Sequence, residues 1–300
     1  MSESKKMIIL GGGGMLGHRL WLELGKVLPD LTVTVRQDRQ AYSGFGELIR
    51  TGNIIDHIDV SNFESLGKVL ESVRPKWIIN CVAVTKRKED HHHFSSEIKL
   101  NSLLPHVLAE WAENHDAKVI HFSTDCVFDG KTGNYREDSP VNAQDMYGRS
   151  KALGEIKGPS ALTIRTSFIG RELYSGTELI EWMLRQRGKK ISGYKNAMYS
   201  GVTTAQAARV VKHVILDHPK LSGLWQVASD PISKFDLLNL VNDRFKLGAQ
   251  IDPDEKYHCY RQLDGTRFAK ETGIITPSWS DMITEMAKDE IPYDHWRKEI

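Results

Sequence analysis

At 300 residues, 40% hydrophobic and 26% charged, the chain can bury one large core or a cofactor domain with a smaller lobe. A formal net charge of +1, with no polybasic tail and no long run of one sign, excludes an electrostatic footprint for nucleic acid or an anionic membrane. No apolar run approaches the roughly 20 residues that span a bilayer, and the cysteines Cys81, Cys126 and Cys259 form no CxxC pattern, so a reduced, cytoplasmic protein is expected.

In chain order, an apolar strand at 7–10 runs into a glycine cluster and then a helical stretch at 15–27. A β-branched run at 31–35 follows, then a helix at 63–73, a strand at 77–84, a helix at 97–114 and a strand at 118–123. This alternation predicts a parallel sheet covered by helices, and near-continuous apolar runs such as WIINCVAV fit strands buried on both faces. A strand at 161–166 closes this half. Beyond Gly170 the alternation weakens: a helix at 178–186, a loop around Gly193, a helix at 203–216, a strand at 224–227 and a helix at 234–245. The expected architecture is α/β, a Rossmann-type doubly wound parallel sheet over 1–169 with a smaller C-terminal substrate lobe over 170–300, of which about 200–223 returns to the sheet.

Gly11, Gly14 and Gly17 space a GxxGxxG between strand and helix. Such a turn needs positive φ, close backbone approach to a pyrophosphate and tight helix packing, while the helix N-terminus offers unpaired N–H groups to phosphate. Cofactor choice turns on the end of the second strand, Val35-Arg36-Gln37-Asp38-Arg39. Arg36 and Arg39 can fork onto a 2′-phosphate, which favours NADP(H); Asp38 could serve a ribose, so NAD(H) stays open. Asp59 is placed to accept from an adenine amino group, or to cap the helix starting near Ser61.

Tyr147 and Lys151 form YGRSK, four apart on one helical face. An ammonium beside a phenol lowers its pKa, so that the tyrosine can protonate a ketone oxygen as hydride reaches the carbon. With nine tyrosines in the chain, one YxxxK proves little. Its weight comes from Ser123-Thr124-Asp125 at a predicted strand end, where open α/β sheets bind ligands and a hydroxyl can stabilise an oxyanion.

Gly11 to Gly17, Asn80-Cys81-Val82-Ala83, STDCVFDG at 123–130 and YGRSK at 147–151 together resemble the extended short-chain dehydrogenases, specifically the dTDP-4-dehydrorhamnose reductase group. The likeness covers about the first 170 residues strongly and the rest loosely. It implies catalytic roles for Thr124, Tyr147 and Lys151, reduction of a 4-keto-6-deoxyhexose nucleotide in surface polysaccharide synthesis, and a homodimer. The expected cofactor contacts are Gly11, Gly14, Met15, Leu16, Gly17, Arg36, Asp59, Val60, Cys81, Ala83, Asn101, Ser123, Tyr147 and Lys151. Those expected for substrate are Lys86, Thr124, Asp125, Val127 and Arg267. Asn101 would position the catalytic lysine through water, or else make a local backbone hydrogen bond before Pro105.

The sequence also departs from the group. Cys126 replaces the usual tyrosine and reads as a small buried residue, and VTKRKEDHHHF at 84–94 replaces an acidic, alanine-rich loop. The Asp-Glu pair of sugar-nucleotide dehydratases is absent, because Asp125 is followed by Cys126. His91, His92 and His93 lack a carboxylate or cysteine at ligand spacing, so no metal is expected. Lys86, Arg87 and Lys88 are instead suited to closing over a diphosphate. Trp182 and Met183 read as lobe core. Two rivals remain: an epimerase that retains NAD, and a cofactor-binding regulatory subunit without turnover, as in methionine adenosyltransferase.

Overall fold

In the computed structural model the described residues are 6–46, 48, 52–85, 94–174 and 176–296. Twelve strands follow in chain order: β1 (Met7–Leu10), β2 (Leu31–Thr34), β3 (Asn53–Ile55), β4 (Trp77–Asn80), β5 (Lys118–Ser123), β6 (Ala161–Arg165), β7 (Phe168–Ile169), β8 (Lys190–Tyr199), β9 (Val202–Thr203), β10 (Gly223–Gln226), β11 (Ile232–Ser233) and β12 (Gln250–Tyr260). Seven of them form one sheet in the order β10-β6-β5-β4-β1-β2-β3, every pair parallel.

A parallel sheet must bury both faces, and the two-residue period of the strands divides their side chains accordingly. Met7 and Ile9 of β1, Trp77 and Ile79 of β4, and Ile120 and Phe122 of β5 enter one core, under the helices Met15–Gly25 and Thr204–Asp217. Ile8, Leu10, Ile78 and Val119 enter the other, under Phe63–Val73 and Leu104–Asn114. Strand order reverses between β1 and β4, so the crevice beyond their C-terminal ends is where such a sheet receives a ligand.

Boundaries move where regular pairing stops. The predicted strand at 77–84 ends at Asn80, because Asn80 turns its side-chain oxygen back onto the Val82 N–H, 3.1 Å away. The predicted helix at 97–114 is interrupted by a π-helical turn, Ile98–Leu103, ahead of Leu104–Asn114. β10 is the seventh strand of the large sheet, reached after the detour through β7, β8 and β9.

The expected loop around Gly193 is instead the ten-residue strand β8, central in a three-stranded sheet between β11 and β12. Its polar sequence, KISGYKNAMY, hides the strand, since only Gly193, Ala197 and Tyr199 are buried. Trp182 also departs from expectation. Met183 is core, whereas Trp182 is 37% exposed and lines a cleft of about 670 Å³ with Thr177, Leu179, Ser192, Tyr194 and Lys234.

Candidate active site

The glycine loop leaves β1 at the switch point. Gly11 has φ +84°, and a Cβ on Gly17 would sit 2.1 Å from the Gly11 carbonyl oxygen, so the first turn of the helix Met15–Gly25 can press onto the loop only without a side chain there. No side chain caps this helix at Gly14, which leaves its leading N–H groups open to an anion. Met15 is half-buried at that end. Leu16 is core, so only its backbone can serve a ligand.

Around the loop the other expected cofactor residues separate by environment. Arg36 is exposed at the end of β2 and Asp59 is exposed after β3. Asp59 accepts from the Ser61 N–H at 2.9 Å; this bond first, the Ser61 side chain next, and Arg36 and Lys99 more weakly, hold its carboxyl below the usual range. Asn62, not Asp59, caps the helix Phe63–Val73. Asp38 caps the turn Arg39–Phe45 through the Gln40 N–H at 2.7 Å and faces His57, so its carboxylate is already engaged. Val60 is buried, Ala83 is exposed and Cys81 is half-buried, with burial pushing its thiol up.

Asn101 sits in the π-helical turn, fully buried, and grips the backbone of Val84: it accepts from the N–H at 2.9 Å and donates to the C=O at 3.0 Å, with a third bond to the Ser150 hydroxyl. It thereby fastens the segment after β4 to the helix Met146–Leu153. Of its two expected roles, the local backbone bond before Pro105 is replaced by a long-range one, and π-turns often mark such sites.

β5 delivers Ser123 and Thr124 to the same crevice. Thr124 caps the turn Asp125–Val127, accepting from the Cys126 N–H at 3.1 Å and donating to Asp125 at 3.1 Å. The helix Met146–Leu153 packs on this turn at Gly148, where a Cβ would lie 2.2 Å from the Cys126 carbonyl oxygen. That close approach brings Tyr147 to Thr124. Burial raises the phenol above its ordinary range, Cys126 and Asp125 add to this, and the hydrogen bond it shares with Thr124 opposes it. The phenol is therefore raised, not lowered as an adjacent ammonium would make it.

Lys151 takes no part in that shift: its amine turns to the Phe122 carbonyl at 2.6 Å and to His121 Nε2 at 3.3 Å, with burial lowering it to about 8. Ser123 is also committed elsewhere: it donates to Glu155 at 2.7 Å, beneath the buried Glu155–Arg165 ion pair.

The expected substrate contacts fare unequally. Thr124 and Asp125 stand in the site. Val127 does not, since its side chain is wholly buried with Phe128, Tyr135 and Leu263 and its carbonyl accepts from Asn142 and Ala143. Arg267 does not either: it stacks on Trp225, donates to the Leu224 carbonyl at 3.1 Å and pairs weakly with Glu137. Lys86 and the histidines 91–93 lie outside the described residues. The arginine that does reach the site is Arg261, which follows β12, donates to the Phe128 carbonyl at 3.0 Å and approaches Cys126 Sγ at 3.4 Å. Cys126, expected to be buried, is half-buried, its thiol pushed up to about 12 by burial and by Asp125, with Arg261 opposing. Tyr199 is buried nearby with a hydroxyl that is unpaired among the described residues. No motif marks either residue, because the last turns of β8 and β12 bring them in from late in the chain.

A glycine loop at the switch point and a Thr-Tyr-Lys set at the end of β5 define a Rossmann-type reductase of the extended short-chain dehydrogenase class. The RmlD substrate binding domain family matches residues 5–299, and the chain belongs to that family. It is 27% identical over 250 residues to a dTDP-4-dehydrorhamnose reductase of Aggregatibacter actinomycetemcomitans, covering 79% of this chain and 78% of the relative. Among solved structures it superimposes with TM-score 0.79 and 21% identity on dTDP-4-dehydrorhamnose reductase from Bacillus anthracis in complex with NADP, covering 95% of this chain and 99% of that one. The dTDP-glucose 4,6-dehydratase of the same organism, in complex with NAD, gives TM-score 0.77 at 15% identity over 98% of this chain and 99% of that one. The fold is thus shared by reductases and dehydratases, and the reaction has to be read from the site. No described helix is long and apolar enough to cross a membrane.

Proposed function

We propose that the protein reduces the C4 keto group of a nucleotide-activated deoxysugar with NADPH, as a step in surface polysaccharide synthesis. The observation that carries this reading is the Thr124–Tyr147 hydroxyl pair at the C-terminal end of β5, with Lys151 one turn further along the same helix. The glycine cradle fits a pyrophosphate, and the open N-terminus of the first helix supplies donors for it. When bound, the nicotinamide supplies the hydride. Tyr147 holds the proton destined for the ketone oxygen, Thr124 positions that oxygen by hydrogen bonding, and the raised phenol keeps the donor protonated at neutral pH.

Arg36, exposed at the end of β2, is left to take a 2′-phosphate, while the commitment of Asp38 to its own turn removes the carboxylate that would select NAD. Residues 170–300 supply the substrate lobe. Its cleft beside Glu178 admits the nucleotide sugar past Trp182 and Lys234, and Arg261 provides a cation by Asp125. Dehydration is disfavoured because no glutamate follows Asp125; Cys126, with its thiol pushed up to about 12, is a poor base.

The test is NADPH oxidation with a panel of dTDP-, UDP-, GDP- and CDP-linked 4-keto-6-deoxy sugars, alongside cofactor titration. Turnover with one panel member identifies the substrate. Tight NADPH binding without turnover on the whole panel would overturn the catalytic reading in favour of a cofactor-binding subunit.

A further inference from the structure

The register of the sheet sets Asn80 of β4 directly beside His121 of β5, and both side chains are buried. Lys151 comes down onto the ring from the catalytic helix, so that Asn80, His121 and Lys151 form a line with contacts of 3.2 and 3.3 Å. The directions of these hydrogen bonds follow from chemistry alone. The Val82 backbone N–H can only donate, so the Asn80 atom 3.1 Å from it is the amide oxygen. The other Asn80 atom is then the NH₂ group, which also only donates, and His121 Nδ1 facing it at 3.2 Å must accept. A neutral imidazole whose Nδ1 accepts carries its proton on Nε2. That N–H points at the Lys151 amine.

An ammonium has no lone pair, and against an N–H it makes a donor–donor contact; a neutral amine accepts the bond. We propose that His121 is a positioning residue which, locked by Asn80 as the Nε2–H tautomer, favours the uncharged amine of Lys151 and so sets the pH above which the catalytic ammonium is lost. The charged neighbours of the pair are few. Glu155, just past the C-terminal end of the lysine's own helix and paired with Arg165, favours the ammonium, and His106, from the helix Leu104–Asn114, disfavours protonation of the ring. Phe122 gives the amine its one carbonyl acceptor among the described residues. In agreement, burial and then the Lys151 charge hold the His121 ring far below the usual imidazole range, so it stays neutral, and burial brings Lys151 down to about 8.

The consequence for turnover rests on Lys151 being the lysine of the proposed ketoreductase. The tautomer lock does not, and the experiment separates the two. In protein labelled with ¹⁵N-histidine and ¹³C-lysine and studied without cofactor, His121 should show an unprotonated Nδ1 and a protonated Nε2, unchanged from about pH 5.5 to 9. His121→Phe keeps a flat ring and removes the N–H, so the Lys151 midpoint should rise by about half a unit or more. If the ring instead accepts from the ammonium, the same substitution removes an acceptor and the midpoint falls. A protonated Nδ1, a titrating ring, or a midpoint that falls or stands still in His121→Phe overturns the proposal; the wild-type tautomer decides it should the variant not fold. The alkaline limb of kcat/KM for NADPH-dependent reduction should follow the midpoint upward. If the midpoint moves and the limb does not, the lock is upheld and the assignment of Lys151 to the reaction is lost.

Discussion

Strands β1 and β5 lie two places apart in one sheet and are buried alike, yet they are filled differently. β1 is Met-Ile-Ile-Leu, hydrocarbon on both faces, and it needs only to end in a glycine turn for its backbone to meet a phosphate. β5 carries His121 and Ser123 inside the protein and runs into Thr124. Its neighbour β6 carries Arg165, bound bidentate by Glu155 at 2.6 and 2.7 Å. Apolar packing is non-directional, so it can seat a loop but cannot aim a proton donor; hydrogen bonds and ion pairs can. The cofactor side of the sheet is held by shape, and the catalytic side by a connected polar network that must be satisfied throughout.

This contrast can be broken from either side. The largest effect expected is on chemistry: Tyr147→Phe should lower kcat by about 10²- to 10⁴-fold while NADPH titration changes little, since only the proton donor is lost. Loss of cofactor affinity instead would place the tyrosine in the wrong role. Next comes the network. Glu155→Ala leaves Arg165, 4% exposed in its side chain, without its partner, and chemical denaturation should show about 3–5 kcal/mol of lost stability. Ile79→Ala empties a fully buried site on the apolar side, with a loss of about 2–4 kcal/mol by the same method. The two also differ in kind: the Ile79 variant should keep wild-type kcat in its folded fraction, whereas Glu155→Ala frees Ser123 and should disturb kcat as well. Equal kcat in both would mean that the polar network supports only the fold. The smallest effect is at the rim, where Arg36→Asp should weaken NADPH relative to NADH by about tenfold or more in paired titrations.

Much of the cofactor half was legible because its signals are local. A strand, a glycine run and an amphipathic helix lie within consecutive residues, and the parallel strands show as short apolar runs of the right length. Thr124, Tyr147 and Lys151 were legible as a set because two motifs stand in order along the chain. β8 was not. Its alternation is blurred by exposed polar residues, and it exists as a strand because β12, some sixty residues later, pairs with it in parallel register. Trp182 was misread as core for a related reason: helical spacing identifies an apolar stripe without saying whether another element covers it.

By itself the sequence determined the class of sheet, the glycine turn at its switch point and the order of the STD and YGRSK motifs, all of which depend on neighbours a few residues apart. Which polar groups remain free for a ligand was decided only by the tertiary structure. Ser123, Asp38 and Val127 were committed to Glu155, to a local turn and to a small core. Arg261 and Tyr199 were brought in from late strands, and His121 was wedged between Asn80 and Lys151, residues 41 and 30 positions away. A side chain's chemistry is written in its own code, but its hydrogen-bond direction and its charge state belong to whatever the fold places against it.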